Sequence, residues 1–380
     1  MFTRGVLRRL AAAGLAFLIL LAGPVVPVPA QEAGTVWPTE GWPVSSPEEQ
    51  GVDSRLLAEM LAVVEAEEIA LDSVLITRNG YLVMEVYFPP YDAETVHRLY
   101  SVTKSVTSAL VGIAIDRGFI AGVDERVLDF FPNRRIEQLS PEKEAMTLED
   151  FLTMRAGLHW ADADLSLTMD MASRSDWVQF VLNRRMVAPP GTEFVYNNGV
   201  SHTLMAIVQQ AAGMDAGDLA DEALFAPLGI DYYMWETDRQ GIINGAWGLL
   251  MLPRDMAKFG YLYLNNGQWE DRQIVSAEWV ATSTQAHVTF PDGGGYGYQW
   301  WVFPDEGLYA AQGLEGQYIF VVPDRAMVVV FTARLQGSDA GLPHTLLGDY
   351  ILPAAQSNEP LPPNPDGVAA LERQIDAIGG

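Results

Sequence analysis

Two β-hairpin signals stand near opposite ends of the chain, and they constrain the fold more than anything between them. Asp72–Thr77 and Tyr81–Phe88 are strand-like runs joined by Arg78-Asn79-Gly80, and Asn-Gly is a favoured tight hairpin turn. Gln317–Val322 and Ala326–Thr332 flank Pro323-Asp324-Arg325 in the same way, and Tyr296–Phe303 adds a further strand-like run. From about Gly118 to Ala281 the pattern changes to helix and loop, without alternating strands. Its main helical pieces are Phe151–Leu158, Trp177–Arg184, Thr203–Ala212 and Pro253–Leu264. Asp53 or Ser54 can cap a helix running through Val64, and Leu342–Leu352 suggests a closing helix. Hairpins from both ends imply one shared sheet. The expected class is therefore α+β, an antiparallel sheet flanked by terminal helices plus a mainly helical inserted lobe. The α/β lobe is expected over 31–120 and 285–380, with the helical lobe over 121–284.

Residues 1–30 read as an export signal: Arg4, Arg8 and Arg9 at the start, an apolar centre from Leu10 to Ala22, and Val28-Pro29-Ala30 as the cleavage site. The apolar run stops at Gly23-Pro24, too short to span a bilayer, so no membrane anchor is expected once the signal is removed. The expected address is periplasmic or secreted. The chain contains no cysteine, which excludes disulfides and thiolate metal sites. Its formal charge is −26, and removing the three arginines of residues 1–30 makes it −29. Such a surface repels nucleic acid and anionic membranes.

Within the apolar run Leu99–Ile115 stands Ser101-Val102-Thr103-Lys104. Residues three apart share a helix face, so the hydroxyl and the amine can meet. A desolvated lysine can act as base toward a serine. An ordinary one cannot, because with a pKa near 10.4 only about one in 2,500 is neutral at pH 7; burial lowers that value. Only three of the 23 basic residues are lysines (Lys104, Lys143, Lys258). In a chain that nearly always chooses arginine, a lysine on an apolar helix suggests a titratable amine. Ser140-Pro141-Glu142-Lys143 repeats the spacing, but Pro141 and Glu142 mark it as a solvated helix start. For Ser101 and Lys104 the plainer alternative is a helix-start serine with a snorkelling lysine.

Further along, the turn-rich segment Pro189–Gly199 places Tyr196, Asn197 and Asn198 just before a helix. A tyrosine can relay a proton and an asparagine can orient it, although a packed loop tyrosine with turn-forming asparagines has the same pattern. Gln312-Gly313-Leu314-Glu315-Gly316-Gln317 leads into a strand, where glycines allow backbone N–H groups to approach a carbonyl. The five histidines are scattered, with no pair at metal-ligand spacing; His202, six residues after Tyr196, is the one near a candidate site. No G-x-S-x-G elbow or phosphate-binding glycine loop occurs. Trp247, Trp300, Trp301, Tyr296 and Tyr298 could line an apolar acyl pocket or simply fill a core.

With these segments in view, the chain resembles the serine β-lactamase-like superfamily. That group includes class C β-lactamases, D-alanyl-D-alanine peptidases, family VIII carboxylesterases and 6-aminohexanoate-dimer hydrolases. Ser101-Val102-Thr103-Lys104 looks like its S-x-x-K motif and Tyr196-Asn197-Asn198 like its Y-x-N motif. Other family-like segments keep the expected order: Leu152–Leu158, Pro190–Thr192, Asp255–Gly260 and Tyr296-Gly297-Tyr298. The third motif departs, because Ala311-Gln312-Gly313 stands where penicillin-interacting members carry K-T-G or H-x-G. An anionic substrate would lose its usual cationic partner there. The resemblance implies a β-lactamase/transpeptidase-like fold and a serine hydrolase of small esters or short linear amides, with no metal or organic cofactor. Ser101 would be the nucleophile and Lys104 with Tyr196 the acid–base pair, supported by Asn198 or Asn197. Gly313, Leu314, Gly316 and Gln317 would form the oxyanion and substrate-binding strand. The alternatives are a β-lactamase or peptidase, or an inactive relative that binds cell-wall peptides.

Overall fold

The computed structural model describes residues 2–4, 35–161 and 165–379. Most of the expected export signal therefore lies outside the described residues, although Phe2–Arg4 forms a short strand along Tyr233–Glu236. None of the described helices is long and apolar enough to cross a membrane.

Eight strands make the main sheet: β1 (Leu71–Arg78), β2 (Tyr81–Tyr87), β3 (Val288–Thr289), β4 (Gly295–Tyr296), β5 (Trp301–Phe303), β6 (Leu308–Gly313), β7 (Gln317–Val322) and β8 (Met327–Ala333). Their spatial order is β2-β1-β8-β7-β6-β5-β4-β3, and every pair is antiparallel. The hairpin from the N-terminal part thus pairs with the C-terminal one through β1 and β8, in the register Val74↔Phe331 and Ile76↔Val329. The β1–β2 turn puts Asn79 at φ 53° and Gly80 at φ 83°, two positive values in succession that suit this Asn-Gly pair.

Six helices frame the sheet and the cleft: α1 (Ser54–Ala66), α2 (Thr103–Asp116), α3 (Ser166–Ser173), α4 (Asn198–Ala212), α5 (Pro253–Leu264) and α6 (Pro365–Gly379). Strand side chains alternate between faces, and the buried residues divide accordingly. Val74, Ile76, Phe320, Val329 and Phe331 share one core with α1 and the segment 342–355, over which α6 closes. Leu75, Ile319, Val321, Val328 and Val330 share the other with α2, α4 and α5. Asp53 starts α1 by accepting the Arg55 N–H at 3.0 Å, as a capping aspartate does.

Several expected elements differ in the structure. Tyr296–Phe303 is not one strand but the hairpin β4–β5: Gln299 takes φ 65° and a Cβ on Gly297 would collide with the Ser283 carbonyl, so the chain turns there. The helix expected at Phe151–Leu158 is Leu148–Leu152, capped reciprocally by Thr147 and Asp150 and ended by Met154 at φ 59°. The closing helix expected at Leu342–Leu352 is present and continues to Ala354, with a π-helical turn over Leu347–Ile351. Short strands at Tyr233–Glu236, Leu249–Met251, Gln268–Trp269 and Arg272–Gln273 interrupt a region read as helix and loop. Within the same region α5 lies against β1, β7 and β8.

That contact is close enough to test. A methyl added at Gly260 of α5 would sit 2.6 Å from Val328 and 2.7 Å from Ile319. Gly260→Ala is expected to destabilise the fold by about 1–3 kcal/mol through overpacking, read as a lower urea midpoint at unchanged slope. An unchanged midpoint would show that α5 does not press on the sheet.

Candidate active site

Ser101 sits in a single 3-10 turn, Tyr100–Val102, that runs directly into α2. The turn is fixed from both sides: Leu99 N–H donates to the Leu249 carbonyl at 2.9 Å, and Val102 N–H to that of Leu99 at 3.1 Å. One helical step later the Lys104 side chain is fully buried, yet its Nζ lies 2.8 Å from Ser101 Oγ. The same nitrogen lies 2.7 Å from Asn198 Oδ1 and 2.8 Å from the Ala246 carbonyl. Two threonines of α2 hold the segment that carries this carbonyl: Thr107 Oγ1 donates to Gly245 O, and Thr103 Oγ1 accepts from Leu249 N–H.

Tyr196 approaches from the other side. Its side chain is hydrogen-bonded to Ser101, and Lys104 Nζ lies 4.9 Å from its ring centroid. Burial lifts the phenol well above the ordinary tyrosine range, while the Ser101 bond pulls it down. Tyr196 is therefore a neutral phenol at physiological pH. Its ring stacks on Trp301 with centroids 5.9 Å apart.

The two asparagines have different places. Asn197 caps α4, its Oδ1 accepting from Gly199 N–H at 2.8 Å and Val200 N–H at 3.2 Å. Asn198 faces Lys104, and its Nδ2 donates to Thr168 Oγ1 of α3 at 2.8 Å. The lysine N–H requires the amide oxygen, which leaves the amide nitrogen to donate to the Thr168 hydroxyl, a group able to accept or donate.

On the strand side, β6 ends against the turn that carries Ser101. A Cβ on Gly313 would lie 3.3 Å from Ser101 N and collide with the Leu99 carbonyl, so only glycine permits this approach. Gln312, Gly313 and Leu314 line the cleft. Gly316 and Gln317 do not: Gly316 packs near Ala333 and Leu335, and Gln317 Nε2 donates to Ala333 O at 2.6 Å. Ala311, in the place of a third-motif cation, is buried in the core.

Ser101, Tyr196 and Asn198 open onto a cleft of about 870 Å³, walled by Trp160, Leu165, Met169, Trp247 and Trp301 among others. Trp247 and Trp301 thus line the cleft, whereas Trp300, Tyr296 and Tyr298 are buried in the core. Arg98 stands at the cleft's edge but is engaged by both carboxylate oxygens of Glu236. His202 lies outside the cleft, fully buried beside Trp177, with Nε2 3.3 Å from Asp238 Oδ2. Among the described residues no three His, Asp or Glu side chains converge as metal ligands.

Sequence reasoning missed Ala246 and Thr168. A carbonyl acceptor carries no residue-type signal; Thr168, on a short helix thirty positions before Asn198, has no motif of its own. Replacing Asn198 by alanine removes one of three oxygen partners around a buried amine. The expected result is a loss of about 1–3 kcal/mol, measured by thermal unfolding; an unchanged Tm would show that the contact carries no weight.

The comparisons with known proteins agree with this architecture. The chain is 25% identical over 316 residues to the 6-aminohexanoate-dimer hydrolase of Paenarthrobacter ureafaciens, covering 77% of this chain and 79% of that one. A Bacillus anthracis protein provisionally described as a 6-aminohexanoate-dimer hydrolase superposes with a TM-score of 0.70 at 22% identity, over 87% of this chain and 91% of that one. A family VIII carboxylesterase superposes with a TM-score of 0.65 at 15% identity, over 81% of this chain and 98% of that one. The beta-lactamase family model matches residues 58–348. With its sheet shared between the two ends of the chain and a helical segment between, this chain belongs to the beta-lactamase family and is a hydrolase of that fold.

Proposed function

We propose that the protein is a serine hydrolase that cleaves small esters or short linear amides through an acyl-enzyme on Ser101. The observation that carries this reading is the meeting of Lys104 Nζ and the Tyr196 hydroxyl on one oxygen, Ser101 Oγ, at the wall of an apolar cleft. A neutral Lys104 has two N–H donors and one lone pair. Asn198 Oδ1 and the Ala246 carbonyl take the donors, and the lone pair is left for the Ser101 proton.

Ser101 Oγ attacks the carbonyl carbon as its proton passes to Lys104. The leaving group departs with the proton of Tyr196, which is restored from the Lys104 ammonium, so no proton is gained or lost. Water then attacks the acyl-enzyme while the same pair takes its proton and returns one to Ser101. Because burial keeps Tyr196 protonated, lysine is the resting base and the phenol the relay. The Ser101 N–H and that of Leu314, within the expected stretch Leu314–Gln317, would receive the oxyanion. Asn198 positions Lys104, and Asn197 serves through its cap on α4.

The substrate needs no anionic group. At the third-motif position stands buried Ala311, and Arg98 is occupied by Glu236, which disfavours a β-lactam or peptide carboxylate. Residues 1–30 would direct the protein to the periplasm or outside the cell.

The test is hydrolysis of a p-nitrophenyl ester panel, with fluorophosphonate labelling of Ser101. Ser101→Ala is expected to abolish both. Lys104→Met and Tyr196→Phe should each lower kcat by about 10²–10⁴, as loss of a general acid–base group does. Activity unchanged in Ser101→Ala contradicts the nucleophile. Covalent capture of labelled penicillin at Ser101, with no ester turnover, would favour a penicillin-interacting enzyme.

A further inference from the structure

Two residues with side chains occupy the left-handed region: Tyr100 at φ 46°, in the turn that carries Ser101, and Glu315 at φ 63°, in the turn that follows β6. Such residues rarely adopt it. Tyr100 immediately precedes Ser101, and Glu315 immediately follows Leu314. They are joined directly: the Tyr100 hydroxyl donates to Glu315 Oε2 at 3.0 Å. We propose that this hydrogen bond is a brace that holds the nucleophile's turn and the end of β6 at the separation an oxyanion site requires, making Tyr100 and Glu315 positioning residues.

Each end of the brace is itself anchored. Glu315 O accepts from Leu335 N–H at 2.9 Å, which ties its turn to the chain just after β8. The Arg98 guanidinium lies 5.9 Å from the Tyr100 ring centroid and is held by Glu236. Burial, and then the Glu315 bond, raise the Tyr100 hydroxyl above its ordinary range, so it remains the donor and the carboxylate the acceptor. Between the two ends, Gly313 brings the strand backbone against Ser101 N with no side chain between them. The backbone bonds that fix the turn run to Leu249 and within the turn itself; the side-chain bond ties the turn to the strand end as well. Neither residue touches the reacting atoms in the proposed chemistry.

The inference rests on Ser101 as nucleophile, and the experiment separates the two. Tyr100→Phe, Glu315→Ala, Glu315→Gln and the double variant Tyr100→Phe/Glu315→Ala are compared with the native enzyme on one p-nitrophenyl ester, together with the rate of fluorophosphonate labelling. Tyr100→Phe and Glu315→Ala are each expected to lower kcat and the labelling rate about tenfold or more with little change in KM, as small misplacements of catalytic groups do. The double variant should lose no more than either single, because both remove the same bond. Glu315→Gln, whose amide oxygen still accepts from the tyrosine, should retain most of the native kcat. Three results would each overturn the brace: kcat unchanged in both single variants, losses that multiply in the double variant, or Glu315→Gln as impaired as Glu315→Ala. A fall in Tm with kcat intact would also overturn it, as a structural role alone. If the native enzyme and Ser101→Ala hydrolyse the ester equally, it is the nucleophile assignment that fails.

Discussion

A lysine amine withdrawn from water and set among three oxygens, those of Ser101, Asn198 and the Ala246 carbonyl, is the interaction on which the rest of the site depends. Lys104 is reached by Ser101 from the turn just before its own helix and by two elements distant in sequence: Asn198 from the start of α4, and the Ala246 carbonyl from the segment that Thr103 and Thr107 hold against α2. Moving any of these changes how the amine is solvated, and solvation decides whether it is charged. The two cores serve this placement. One buries α2 and α4 between the sheet and the helical segment, and the other stiffens the far face of the sheet, so that β6 meets the turn at Ser101.

The chain contains its own control. Ser140-Pro141-Glu142-Lys143 has the same spacing as Ser101–Lys104, and its lysine is buried too, rather than solvated as the sequence suggested. Yet Ser140 Oγ accepts the Lys143 backbone N–H, as a helix cap, and Lys143 Nζ donates to the Glu137 and Leu182 carbonyls. Burial lowers the Lys143 amine, and neither Ser140 nor Lys143 lines the cleft onto which Ser101 opens. Equal spacing and equal burial thus lead to different surroundings. What differs is which atoms the rest of the fold delivers to the amine.

That contrast explains what was legible beforehand. The sheet could be read because Asn79-Gly80 and the alternating runs around it act locally, and the pairing of both chain ends followed from hairpins with no other partner. Ser101 and Lys104 could be read because three residues on a helix fix their own geometry. Tyr196 and Asn198 needed the ordered likeness to known segments, since nothing local says that they face α2; sequence alone left Asn197 and Asn198 interchangeable, and the cap on α4 separates them. Tyr296–Phe303 misled because its apolar residues mimic a strand, whereas Gln299 in the left-handed region and Gly297 against the Ser283 carbonyl force a turn. Gly316 and Gln317 misled for a related reason: they follow the strand that meets Ser101, but the turn at Glu315 carries them toward Ala333.

The most direct measurement is the protonation of Lys104 in the resting protein, followed by nitrogen NMR of Nζ-labelled lysine across pH. Only three lysines are present, and Lys104→Met assigns the resonance. The account predicts that Lys104 titrates well below the ordinary lysine value of about 10.4, so that a working fraction is neutral at physiological pH. A Lys104 that titrates at or above that value would contradict it.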